Sequence, residues 1–329
     1  MPPALADRYR DRLPIGHSTP VVSLGEGSTP LIRANRISER LGLDVYLKLE
    51  SMNPTASFKD RGMTIAVSKA LEERVQVVIC ASTGNTAASA ATYAARAGLA
   101  TVILQPAGAV ALGKLAQARA VGAQVMEVRG NFDQALAAAR ELAARGTHAL
   151  VNSLNPYRLE GQKTAAFEIV EELGAPPDVL ALPYGGGGNT RAYGIGFDEW
   201  GAGTPLILAG EAQDRGGTVA SAIRITEPVH RKYAQRAIEG SGGATVTLTD
   251  DAILAAWREL AEREGVFCEP SSAASLAVLS QSDILKGSVA VCIVTGHGLK
   301  DPRTVERSTL PPIQVDPEPD AIAEAAIGT

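Results

Sequence analysis

Val179-Leu180-Ala181-Leu182-Pro183-Tyr184-Gly185-Gly186-Gly187-Gly188-Asn189-Thr190 sets a wholly apolar run directly before four glycines, and a helical pattern follows. An apolar run without alternation reads as a strand buried on both faces, as in a parallel sheet covered by helices. Four successive glycines between strand and helix let backbone amides close on an anion, and phosphate suits such a cup. The same strand-then-helix unit recurs on both sides. Val75 to Cys80, Ala100 to Leu104 and Ala123 to Val128 read as buried strands, with helices over Asn85 to Gly98, Gly113 to Gly122 and Phe132 to Arg145. Pro205 to Ala209 and Val289 to Val294 continue the series. This alternation predicts an α/β fold of two parallel-sheet lobes meeting at a cleft. Arg215 to Gly243 is rich in Gly and charge with weak periodicity, and reads as a mobile loop or insertion.

The other chemistry-bearing segments sit where strands end, which is where open parallel sheets place ligands. Ser82-Thr83-Gly84-Asn85-Thr86 opens an alanine-rich helix with hydroxyls and amides able to surround a carboxylate. Asn53-Pro54-Thr55-Ala56-Ser57-Phe58-Lys59-Asp60-Arg61-Gly62 places one lysine in a small-residue turn before another helix. A lysine amine becomes nucleophilic toward an aldehyde when burial or charge lowers its pKa, and Ser57, Phe58 and the helix supply a partly dry setting. A phosphate cup together with such a lysine suggests pyridoxal phosphate. Asn152 to Thr164 adds Asn152, Ser153, Arg158 and Lys163 near a strand end, with Arg158 a planar fork suited to phosphate and Lys163 a point charge.

Composition bounds the partners. The chain has 329 residues, 45% hydrophobic and 20% charged, which suits a large globular α/β unit and excludes disorder. A net charge of -5 and the lack of a basic run argue against nucleic acid or an anionic membrane, and favour a small-molecule substrate. Cys80, Cys268 and Cys292 are widely spaced, with no CxxC pair, so they read as reduced core thiols and no metal site is expected. The N-terminus lacks an apolar signal region and no stretch is long enough to span a bilayer, so a cytoplasmic location is expected.

Long ordered blocks carry a resemblance. Glu26-Gly27-Ser28-Thr29-Pro30-Leu31, Asn53 to Met63, Ala81 to Ser89, Asn152 to Thr164, Phe267-Cys268-Glu269-Pro270 and Thr295-Gly296-His297-Gly298-Leu299-Lys300-Asp301-Pro302 together resemble the fold type II, tryptophan synthase β-like pyridoxal-phosphate enzymes, and among them the threonine synthases. The resemblance implies that Lys59, beside Phe58, forms the Schiff base and shuttles protons between substrate carbons. It implies that Asn85 touches the cofactor's phenolic oxygen, that Gly185, Gly186, Gly187, Gly188 and Asn189 hold its phosphate, and that Thr295 faces its ring nitrogen. Ser82, Thr83 and Thr86 are implied to bind the amino acid's carboxylate or distal group, and Asn152 and Arg158 a substrate phosphate, with Ser153 read from the same loop as a further substrate contact. The implied reaction is a β,γ-replacement turning O-phosphohomoserine and water into L-threonine and phosphate. The implied layout is a large cofactor domain of residues 1–52 and 153–315, a smaller one of 53–152 and a loosely held tail of 316–329; a homodimer is expected by analogy.

The chain also departs from that pattern. Threonine synthases usually carry Gly-Asn-Ala-Gly-Asn where this chain has Gly185-Gly186-Gly187-Gly188-Asn189, which is nearer the dehydratases. Ala56 stands where glycine is common, Gly210 to Ile225 is shorter than usual, and Thr226-Glu227-Pro228-Val229-His230 replaces an Asn-Pro turn followed by tryptophan. Two other readings therefore stay open. One is β-elimination or β-replacement on serine, threonine or a specialised amino acid; the other is a catalytically idle binding protein.

Overall fold

The chain forms strands where its β-branched and leucine runs fall: β1 (Leu31–Arg33), β2 (Asp44–Lys48), β3 (Val77–Ala81), β4 (Ala100–Pro106), β5 (Gln124–Val128), β6 (His148–Leu150), β7 (Val179–Pro183), β8 (Leu206–Ala212), β9 (Ala244–Leu248) and β10 (Val289–Ile293). The structure is a computed structural model that describes residues 3–108 and 112–327, so Met1, Pro2 and the last two residues of the tail lie outside it. One sheet has the order β1-β2-β10-β7-β8-β9, the other β5-β4-β3-β6. All pairings are parallel except β1 with β2. That antiparallel edge was not expected from the parallel reading; β1 reaches its partner over the short helix Asn35–Leu41, which Gly42 ends in the left-handed region at φ 67°.

All five residues of β7 are buried, as an apolar run without alternation requires. Helices cover both sheets, and each fully buried aliphatic or aromatic side chain contributes about 1.5–3 kcal/mol. The helix Pro156–Leu173 is capped by Asn155, whose side chain accepts from Tyr157 N at 2.9 Å, and ends at Gly174. The helix Phe132–Ala144 begins with a capping box of Asn131 and Gln134. One sequence expectation needs correction. Residues Arg231–Gly240, read as part of a loop, form a helix whose buried stripe is Ala234 and Ile238. The tail also contains a helix, Pro319–Ile327, exposed along most of its length. The three cysteines are free and buried.

The topology gathers the site. β2, β10 and β7 lie side by side, so the segments leaving their carboxyl ends emerge in a row: Asn53 to Lys59, the Thr295 turn and the glycine cup. In the other sheet β3 and β6 are neighbours and release Ser82 to Thr86 beside Asn152 to Arg158.

Candidate active site

Lys59 is the first residue of the helix Lys59–Glu72. Its loop is fastened to the Thr295 turn: Phe58 N donates to Thr295 O at 3.0 Å, His297 N donates to Ala56 O at 3.1 Å, and Ser57 pairs with Gly296 as an isolated bridge. Asp60, fully buried, holds the same loop by accepting from Thr55 N and Thr55 Oγ1 at 2.6 Å and from Ser89 Oγ at 2.6 Å. Burial raises the Asp60 carboxyl to about 6 despite those donors. Lys59 Nζ lies 4.2 Å from the Phe58 ring centroid. Burial first, and then the charge of Arg158, lower its pKa to about 7, with Glu269 opposing the shift. A lysine so placed is available as a nucleophile and proton carrier near neutrality.

Arg158 reaches this lysine because two helices touch backbone to backbone. A Cβ on Gly161 would lie 1.9 Å from Arg61 O, and one on Gly62 would lie 2.8 Å from Arg158 Nε. Gly62 is three residues from Lys59, on the same helix face. The guanidinium is fully buried; Nη1 donates to Val151 O at 2.8 Å, while Nε and Nη2 have no partner. Burial lowers its pKa to about 10. A buried cation with unused donors is costly unless an anion meets it.

Asn152 lies at the neighbouring strand end, where its side chain accepts from Ala81 N at 2.9 Å and donates to Ala81 O at 2.8 Å, joining the segments that begin at Ser82 and Asn152. Lys163 does not join them. It pairs with Glu160 at 2.5 Å and Glu199 at 2.7 Å on the far side of its helix, which corrects its expected part as a phosphate charge.

The glycine cup caps the helix Gly188–Trp200, with Gly187 in the left-handed region at φ 79°. A Cβ there would stand 3.0 Å from Ala234 Cβ, so both conformation and space call for glycine. Asn189 Nδ2 and Thr190 Oγ1 are buried without partners at this helix start. Asn85 opens the helix Asn85–Arg96; its Nδ2 donates to Glu269 Oε1 at 2.9 Å and its Oδ1 is buried and unpartnered. Ser82 Oγ accepts from Gly84 N at 3.1 Å, and Thr83 and Thr86 are partly exposed beside it. Thr295 Oγ1 lies 2.9 Å from Ser272 Oγ. A lysine with a lowered pKa, a helix-start amide cup and unpartnered buried polar atoms around both form a set that fits pyridoxal phosphate.

Several groups here carried no role in the sequence reading. Glu269 accepts from Asn85 and pairs with Lys114 at 3.2 Å, and Ser272 supports Thr295. Glu269 lay inside a quoted block, but only the fold brings its partners to it. His230 closes the back of the glycine cup, its N donating to Gly186 O at 3.0 Å.

The profile of the pyridoxal-phosphate dependent enzyme family matches residues 22–296. The chain is 49% identical over 319 residues to the threonine synthase of Halalkalibacterium halodurans, covering 91% of this chain and 90% of that protein. It is 48% identical over 336 residues to the threonine synthase of Synechocystis sp., covering 96% and 88%. Among solved structures, maize serine racemase superposes with a TM-score of 0.75 at 21% identity, over 85% of this chain and 91% of that one, a likeness of fold.

Proposed function

This chain belongs to the pyridoxal-phosphate dependent enzyme family, and from that membership we propose that it is a threonine synthase, converting O-phosphohomoserine and water to L-threonine and phosphate. The observation that carries the choice of substrate is Arg158: a wholly buried guanidinium, beside Lys59, with two donor nitrogens unpartnered. A planar fork of that kind matches a phosphate ester. Long similarity to proteins named threonine synthase supports the same reading.

When bound, pyridoxal phosphate supplies the aldehyde that takes up the lysine amine and the conjugated ring that stores the electron pair left at the substrate's α-carbon. Gly185, Gly186, Gly187, Gly188, Asn189 and Thr190 would hold its phosphate, Asn85 its phenolic oxygen and Thr295 its ring nitrogen, with Phe58 beside the lysine. A hydroxyl at the ring nitrogen does not force protonation there as a carboxylate does, and this favours elimination over transamination. Ser82, Thr83 and Thr86 would hold the substrate carboxylate. Lys59, with its pKa near 7, would take the proton from Cα, give it up, and then take one from Cβ; phosphate leaves Cγ with the C–O electron pair, a proton is returned to Cγ, and after water adds its oxygen at Cβ another is returned to Cα. Arg158, Ser153 and Asn152 meet the negative charge that builds as phosphate leaves Cγ.

Residues 53–152 make the smaller lobe on this reading, and 1–52 with 153–315 the larger. A cytoplasmic homodimer is carried by analogy with the family alone. The test is release of phosphate and formation of threonine from O-phosphohomoserine by the cofactor-loaded protein, beside serine, threonine and a Lys59→Ala control. Equal amounts of phosphate and threonine, absent in the control, are expected. A 2-oxo acid from serine or threonine with no phosphate released would assign a dehydratase instead.

A further inference from the structure

His230 stands in the turn where this chain departs from the threonine synthase pattern, and it is 4% exposed. Its imidazole Nε2 lies 2.8 Å from Ser153 O. Its backbone N–H donates to Gly186 O at 3.0 Å. A Cβ built on Gly188 would lie 3.3 Å from His230 Cδ2 and 4.0 Å from Ser153 Cβ, so the cup, the imidazole and the substrate segment converge at one point. A carbonyl only accepts, so Nε2 carries the proton, and Nδ1 is left to face Arg191 Nη1 at 3.4 Å. Burial lowers the His230 pKa, the hydrogen bond to Ser153 opposes that shift, and the charges of Arg191, Lys59 and Arg158 add to it.

We infer that His230 is a positioning residue that sets the distance between the cofactor-phosphate cup at Gly185 to Asn189 and the substrate-phosphate segment at Asn152 to Arg158, and so tunes selectivity for a phosphorylated substrate. The inference rests on the threonine synthase reading. The four glycines of the cup have no side chains to do this work. The imidazole bridges the gap with one donated bond to a backbone carbonyl, which no change at Ser153's own side chain can replace.

Three variants of the holoenzyme test it: His230→Ala, His230→Asn and His230→Gln. Glutamine places an amide donor near the position of Nε2, whereas asparagine falls short of Ser153 O. His230→Ala and His230→Asn are expected to raise the KM for O-phosphohomoserine and the inhibition constant of inorganic phosphate about tenfold, with kcat changed less than threefold, and His230→Gln is expected to recover most of the loss. An unchanged KM in the alanine and asparagine variants, or a glutamine variant as impaired as the asparagine one, would overturn the inference. If alanine does not fold, the asparagine and glutamine pair decides alone. Inorganic phosphate binding to the holoenzyme, followed by cofactor absorbance, separates the two readings: a wild-type enzyme inactive on O-phosphohomoserine defeats the threonine synthase reading. Even then, the His230 inference stands if phosphate binds tenfold more weakly to His230→Asn than to His230→Gln, and fails if the two bind alike.

Discussion

Phe58 N–H donates to Thr295 C=O across 3.0 Å, so the loop that delivers the lysine is fastened directly to the turn assigned to the ring nitrogen. Ser57 pairs with Gly296 as an isolated antiparallel bridge beside it, and Ala56 accepts from His297. Ala56 itself sits at φ 63°, in the left-handed region. An L-residue there costs about 1 kcal/mol relative to glycine. Ala56→Gly is expected to raise the thermal midpoint by about 1–3 °C, read by differential scanning calorimetry; a fall would show that the alanine methyl contributes packing that outweighs the strain.

Lys59 yields a pH dependence. Its pKa falls from 10.5 to about 7 through burial and Arg158. Only the neutral amine reacts with an aldehyde, so the rate at which cofactor-free protein takes up pyridoxal phosphate should climb through pH 7 and level off above it. Stopped-flow absorbance gives the midpoint. A midpoint near the ordinary lysine value would place the amine in open water and remove the basis for its reactivity.

Arg158→Lys keeps one charge but loses the fork. Charge-assisted hydrogen bonds are worth about 1.5–3 kcal/mol each, so kcat/KM for the phosphorylated substrate should fall about 10²–10³-fold, while cofactor affinity stays within about twofold. Loss of cofactor affinity to the same degree would move Arg158 from the substrate to the cofactor.

The buried network of Arg61, Glu50, Glu168 and Lys48 gives a stability prediction. Arg61 pairs with Glu50 at 2.7 Å and Glu168 at 2.6 Å, and Lys48 lies 3.1 Å from Glu168. Burial alone would raise the Glu168 carboxyl, yet the two cations hold it at about 2 against an ordinary 4.5. A carboxyl lowered in the folded state stabilises the fold above its unfolded pKa and loses that contribution as pH falls toward its folded one. Denaturant midpoints should therefore drop between pH 4.5 and 2. Glu168→Gln should cost about 3–5 kcal/mol at pH 7, because it leaves a buried cation short of a partner, and should flatten this part of the acid profile.

What the sequence made legible was written in local signals. The glycine cup, the Ser82 cap and the Lys59 turn are runs of special residues at strand ends, and buried parallel strands read as plain apolar runs. What it hid depends on distant pairing. Glu269 meets Lys114 from 155 residues away and Asn85 from 184, and Arg61 and Glu168 look like ordinary helix-surface charges until two helices close on them. Lys163 misled for the same reason: Glu199, 36 residues on, claims it. The helix Arg231–Gly240 escaped because it buries only Ala234 and Ile238, too narrow an apolar stripe to stand out among its charges.

The crossing of Gly62 and Gly161 has a consequence for how the enzyme can move. Helices in backbone contact have no side chains between them to act as bearings, so they neither slide nor separate by small steps. The lysine and the guanidinium therefore ride on one welded frame. Any opening has to hinge at segments outside that weld, with the spacing between Lys59 and Arg158 held fixed by it.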